Sequence, residues 1–339
     1  MAETEFTHWH LSGDEKGIAW LGFDQAGSST NTLSSEVMQE LSRVLDRIER
    51  DRPQALIVFS HKDNGFAAGA DIGEFTRLET PSQAYELIHG GQQVLNRLAN
   101  LPCPTVAMVH GFALGGGLEL ALACRYRVAS DAPNTQLGLP EVKLGIHPGF
   151  GGTVRSVALM GVLPAMKMML TGKSLRAKAA KAAGLVDRLA TPDELRERAC
   201  NMALKSPQSH SAPRLQRLLS LPLLRPFVGR MLRKQLNARV RKDHYPAPYA
   251  IVRLWQRHGG ALRPQSFELE AHSIAKLMCG EPARNLVRVF LLQDRLKGLG
   301  RTTRFKPRRV HIIGTGIMGG DIAAWCASRG MEVSVQDRE

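Results

Sequence analysis

Three consecutive glycines directly behind a strand-like run constrain this chain more than any other feature. Pro104-Thr-Val-Ala-Met-Val-His110 is apolar and of strand length, and Gly111-Phe-Ala-Leu-Gly-Gly-Gly-Leu-Glu119 follows at once. Without a Cβ, glycine lets the backbone turn sharply and lets other groups come close to its N–H. The next residues, Leu118-Glu-Leu-Ala-Leu-Ala-Cys124, read as a helix that is apolar on every face except at Glu119. A buried strand feeding a buried helix needs structure on both sides, which predicts an α/β fold class.

The same alternation surrounds that turn. Gly17-Ile-Ala-Trp-Leu-Gly-Phe23 and Ala55-Leu-Ile-Val-Phe-Ser60 read as strands, and Cys124-Arg-Tyr-Arg-Val-Ala-Ser130 leads into another. Between the first two, apolar residues at 37, 41, 45 and 48 keep close to the helical period. Ser34 or Ser35 caps that helix, with Glu36 in the first turn favoured by the dipole. From Gly161 the pattern turns helical over 163–170, 177–183 and 194–205. Residues 207–226 read as a connector, and 227–300 as basic amphipathic helices broken by Pro246, Pro248, Gly259, Gly260 and Pro264.

Two loops carry the chemistry. One is Gly65-Phe-Ala-Ala-Gly-Ala-Asp-Ile-Gly73, and the other is the 111–119 turn itself. Small residues leave backbone N–H groups approachable, and a helix start adds positive partial charge, so the two loops together suit an oxygen that becomes negative during a reaction. A lone carboxylate such as Glu119 in an apolar helix is costly unless it is paired, hydrogen-bonded or catalytic. Glu141, in Gly138-Leu-Pro-Glu-Val-Lys-Leu-Gly145, is hemmed in the same way. Desolvation raises a carboxyl pKa toward neutral pH, which is what acid–base work by such a pair requires. The plainer readings are close packing for the glycines and an ion pair from Glu119 to Arg125 or Arg127. Asp71 reads as a helix N-cap or loop ligand, and His147 as a packed loop histidine.

The blocks FAAGADIGEF (66–75), HGFALGGGLELALACRYRVAS (110–130), GLPEVKLGIHPGFGGTVR (138–155) and AAKAAGLVD (179–187) resemble the crotonase, or enoyl-CoA hydratase/isomerase, superfamily over about residues 15–205. The resemblance implies a ββα spiral core. It also implies an oxyanion hole from the N–H groups of Ala70 and Gly116, and an acid–base pair in Glu119 and Glu141. Having both acids favours hydration of a trans-2-enoyl-CoA, with no cofactor and no metal, over isomerisation alone.

Near the C-terminus, Arg309-Val-His-Ile-Ile-Gly314 runs into a GxGxxG turn at Gly314, Gly316 and Gly319, and Asp337 ends a second strand. This is the start of a Rossmann NAD-binding fold, with Asp337 placed for a ribose hydroxyl. The order of parts resembles the α-subunits of bacterial fatty-acid β-oxidation complexes, which implies an NAD-dependent 3-hydroxyacyl-CoA dehydrogenase in the complete protein and a thiolase β-subunit as partner. The expected organisation is a hydratase domain over 1–190, a basic helical linker over 191–307 and a dehydrogenase start over 308–339. The chain is expected to be an N-terminal fragment that by itself binds NAD weakly or not at all.

The net charge of +14 is confined to one stretch: residues 201–310 hold 23 Lys and Arg against 5 Asp and Glu. Such a segment attracts CoA phosphates, an anionic surface, an acidic partner or nucleic acid. The crotonase superfamily includes an RNA-binding hydratase homologue, but few aromatics here are available to stack on bases, which disfavours that role. Five scattered cysteines, never as CxxC, argue against a disulfide framework or a zinc site and for a reducing cytoplasm.

Overall fold

In the computed structural model, which describes residues 6–301 and 305–338, the chain spirals between two sheets. A six-stranded sheet runs in the order Trp9–Gly13, Ile18–Phe23, Ala55–Ser60, Thr105–Val109, Tyr126–Ser130 and Arg188–Ala190. Its first pair is antiparallel and the rest are parallel. A second sheet holds Gly65–Ala67, Phe112–Leu114, Gln136–Gly138 and Leu175–Arg176. Successive turns therefore lay one strand in the large sheet, one in the small sheet, and then a helix. Ile18–Phe23 is buried at all six positions, because helices cover both faces of the parallel sheet. On one face Leu195–Lys205 packs Leu195, Ala199 and Met202 against Trp20, Ile57, Val106 and Val128.

The helix expected behind Leu33 spans Ser35–Asp51 and buries Val37, Leu41, Leu45 and Ile48. Ser34 is its cap, accepting the Val37 N–H at 3.3 Å. The stretch read as a connector contains a short helix, Arg214–Leu219, held by an Ala212 N–H to Ala158 carbonyl bond of 3.0 Å.

The basic helices beyond residue 190 pack onto this core. Pro264–Met278 lies against Pro81–Ala99, where Tyr85 donates to Glu268 at 2.7 Å and Gln92 donates to the Phe267 carbonyl at 3.0 Å. The compact unit runs through Arg288, so the boundary expected at 190 falls inside it.

A second unit begins at Val289. In it, parallel strands Arg309–Ile313 and Glu332–Gln336 flank the helix Ile317–Ser328. Among the described residues, no helix is long and apolar enough to cross a membrane.

Candidate active site

The glycine turn does what its sequence demands. Gly115 adopts φ +53°, and its N–H donates to the Gly138 carbonyl at 2.9 Å. A Cβ on Gly117 would stand 2.4 Å from the Ala67 carbonyl oxygen, so only glycine lets the helix Gly116–Ala123 start this close to the 65–70 loop. A Cβ on Gly116 would lie 3.2 Å from the Ala70 nitrogen, so the two loops meet there. Ala70 bridges Leu33 through its neighbours: Leu33 donates to the Gly69 carbonyl at 2.8 Å, and Asp71 donates to the Leu33 carbonyl at 3.3 Å. In such a parallel bridge the middle residue's own N–H faces away from the partner strand. Asp71 is the N-cap of Ile72–Phe75 and accepts the Gly73 N–H at 2.8 Å.

Glu119 is 2% exposed and, among the described residues, forms no salt bridge with an arginine. Its Oε1 accepts the N–H groups of Phe150 and Gly152, both at 2.7 Å. Arg127 instead pairs with Asp187 at 2.8 Å and donates to the carbonyls of Cys124 and Leu185. Glu141 opens the 3₁₀ turn Glu141–Leu144. Both of its carboxylate oxygens are buried, and neither has a hydrogen-bond partner among the described residues. Oε1 would lie 3.3 Å from a Cβ on Gly115, which brings this carboxylate to the glycine turn.

Burial pushes the Glu141 carboxyl up to about 8, with the Glu270 charge adding to the rise and the nearby dipole of its own backbone N–H opposing it without a formed hydrogen bond. Glu119 is raised well above the ordinary range by burial and then by the charges of Glu141 and Glu270, against the pull of the Gly152 and Phe150 N–H groups. Two buried carboxyl groups this close share protons and titrate as a pair. His147 is a packed histidine: Nδ1 lies 2.7 Å from the Pro148 carbonyl, Nε2 lies 2.9 Å from Ser273 Oγ, and burial holds its pKa down to about 4.

The enoyl-CoA hydratase/isomerase family model matches residues 13–242. The chain belongs to this family. Among curated relatives, the fatty acid oxidation complex subunit alpha of Shewanella sp. strain MR-4 is 37% identical over 325 residues, which is 93% of this chain and 46% of that protein. The same subunit of strain MR-7 matches equally. The chain thus spans about half the length of these relatives. An enoyl-CoA hydratase structure from Geobacillus kaustophilus HTA426 superposes with TM-score 0.56 at 26% identity, covering 86% of this chain and 96% of the other. One from Mycobacterium avium subsp. paratuberculosis K-10 shares the fold, with TM-score 0.59 at 21% identity over 84% of this chain and 99% of its own.

One buried acid of this family member escapes a reading by motif. Glu270, 0% exposed, comes from the Pro264–Met278 helix, in the segment read as a basic linker and beyond the matched residues. A sequence signal did exist, since Glu270 falls on the same helical stripe as Phe267, Ala271, Ile274 and Met278.

In the second unit, Gly314 has φ +94° and donates to the Gln336 carbonyl at 2.7 Å. A Cβ on Gly319 would stand 1.8 Å from the Gly314 carbonyl oxygen, while one on Gly316, the N-cap of the helix, would meet nothing within 4 Å. Asp337 turns back onto this turn and accepts the N–H and hydroxyl of Thr315, both at 2.6 Å.

Proposed function

We propose that the first unit hydrates trans-2-enoyl-CoA thioesters to 3-hydroxyacyl-CoA in fatty-acid β-oxidation. What supports this reading is that the buried Glu141 carboxylate lies at the glycine turn, where Gly116 also meets the Ala70 nitrogen, and that the second buried acid, Glu119, sits in the helix this turn opens. The thioester oxygen lies against the N–H groups of Ala70 and Gly116, which take up the enolate charge as it forms together with the helix start at Gly116. Glu119, with two N–H donors on one oxygen, is the better home for negative charge and draws a proton from water as its oxygen adds to C3. Glu141, with no donor, holds the proton that is delivered to C2. One water is consumed: its hydroxyl adds to C3, Glu141 gives its proton to C2, and the proton left on Glu119 passes to Glu141 before the next turnover. No cofactor enters this chemistry.

Glu141 acting alone, moving a proton between C2 and C4, would interconvert double-bond isomers. In the complete protein the turn at Gly314, Gly316 and Gly319 would hold the pyrophosphate of NAD. The open helix start at Gly316 and the close glycine contact at Gly319 suit that group, and a thiolase subunit would take the dehydrogenated product.

The test is hydration of trans-2-enoyl-CoA by the chain and by Glu119→Gln and Glu141→Gln, with CoA-thioester binding measured beside it. Each variant should lose on the order of 10²–10⁴ in kcat while still binding. Variants that turn over normally would sink the two-carboxylate reading.

A further inference from the structure

The turn Gly149-Phe-Gly-Gly-Thr153, which runs into the helix Gly152–Met160, presents four successive N–H groups, and all four go to carboxylates. Phe150 and Gly152 donate to Glu119 Oε1, both at 2.7 Å. Gly151 and Thr153 donate to Glu270, at 2.5 and 2.9 Å, and the Thr153 hydroxyl also donates to Glu270. The two acids therefore grip alternate residues of one segment from opposite sides. Gln92 ties the clamp down by donating to Glu270 at 3.1 Å and to the Gly149 carbonyl at 2.8 Å. Arg155 donates to the Phe150 carbonyl at 2.7 Å, and its positive charge acts on both Glu270 and Glu119.

We propose that Glu270 is a positioning residue of the hydratase site: it fixes the 150–153 turn so that Glu119 is held in its reactive place. This rests on the proposed function above. The helix that carries Glu270 lies outside the family-matched residues, so the site is completed by the segment that composition marks only as basic.

The groups facing Glu270 leave the carboxylates as the titrating set near neutral pH. His147, whose ring bonds Ser273 on the Glu270 helix, and His258 on the Pro246–His258 helix are both held near 4 by burial and carry no charge there. Arg155 is lowered by burial only to about 10 and stays cationic. His89 on the Pro81–Ala99 helix faces Glu268, at 3.8 Å. Burial raises the Glu270 carboxyl itself, and in its ionised form it raises the proton affinity of both Glu119 and Glu141; its removal therefore lowers Glu141, while at Glu119 the lost charge and any loosened N–H donors act in opposite directions.

The experiment compares the full chain with Glu270→Gln, which removes the charge, and Glu270→Asp, which keeps it. One readout is titration of the Glu119 and Glu141 carboxyl carbons by NMR, which needs no turnover. The other is the pH profile of kcat and KM for enoyl-CoA hydration. Glu270→Gln should move the Glu141 titration and its limb of the profile to lower pH, and should shift the Glu119 titration as its N–H donors loosen. Its kcat should fall by as much as about 10²-fold, with KM little changed, and Glu270→Asp should restore the titrations toward those of the parent. Unmoved titrations in a folded Glu270→Gln protein would overturn the proposal, and so would a loss confined to KM or thermal stability. A parent chain that binds thioester but never hydrates it would sink the proposed function, while the carboxyl titrations would still report whether Glu270 holds Glu119 in place.

Discussion

Glu119 and Gly152 meet at a single oxygen: the Gly152 N–H donates to Glu119 Oε1 at 2.7 Å, and a Cβ on Gly152 would stand 2.7 Å from the same atom. The glycine is there because the carboxylate is. Gly152→Ala should push Glu119 off its two N–H donors and cost on the order of 10² in kcat. Overpacking should also cost about 1–3 kcal/mol of stability. Steady-state hydration and a thermal melt on the same sample check both, and full activity would show that the carboxylate tolerates displacement.

The neighbouring glycines separate fold from chemistry. At Gly117 a Cβ meets the Ala67 backbone oxygen at 2.4 Å, so Gly117→Ala should lower the melting temperature, the strain again costing about 1–3 kcal/mol. At Gly116 the nearest atoms are the Ala70 nitrogen at 3.2 Å and Leu33 Cδ1 at 3.3 Å. Gly116→Ala should therefore cost less stability than Gly117→Ala but lose roughly 10²–10³ in kcat by crowding the Ala70 N–H. Equal effects of the two substitutions on stability and rate would contradict this division.

Stability should fall on the alkaline side. In the folded chain burial raises the Glu141 carboxyl to about 8, whereas unfolding returns it to its ordinary value of 4.5. A carboxyl that binds its proton more tightly when folded adds stability that is fully present below the unfolded pKa and is lost as pH rises toward the folded one. Each unit of that displacement corresponds to about 1.4 kcal/mol. Glu119 and Glu270 are displaced in the same direction. Glu141→Gln should thus melt progressively higher than the parent between pH 5 and pH 9, whereas parallel melting curves would mean that the carboxyl is not displaced.

The Arg127–Asp187 pair should matter to folding and not to chemistry. Its charged groups are 3% and 8% exposed and meet at 2.8 Å, and His210 adds a 2.8 Å contact to the other Asp187 oxygen. Burial works against the Asp187 charge, but His210 and Arg127 together hold the carboxyl below its ordinary range. Asp187→Ala leaves a buried guanidinium without its counter-charge and should cost about 3–5 kcal/mol. Activity per folded molecule should be unchanged. A loss of kcat without loss of stability would count against a purely structural pair.

Much of this site is legible in the sequence because its demands are local. The strand, the Gly115–Gly117 turn and the apolar helix with one acid follow from chain sterics and hydrophobic patterning over fewer than twenty residues. So does the isolation of Glu119 and Glu141 among apolar neighbours, and the short helix hidden in 207–226 is a modest omission by comparison. What surrounds those acids is not local. That Glu119 bonds the N–H groups of Phe150 and Gly152, while Arg127 pairs with Asp187 sixty residues further along, is set by packing between distant segments. Glu270 enters the site only because Pro264–Met278 folds back on Pro81–Ala99, a contact between helices nearly two hundred residues apart. Which residues are able to do chemistry is readable from the chain, since type, spacing and hydrophobic pattern are properties of its covalent order. Which of them share a turn is a matter of packing, because the orphan N–H groups at one helix start can be claimed by any carboxylate brought within reach.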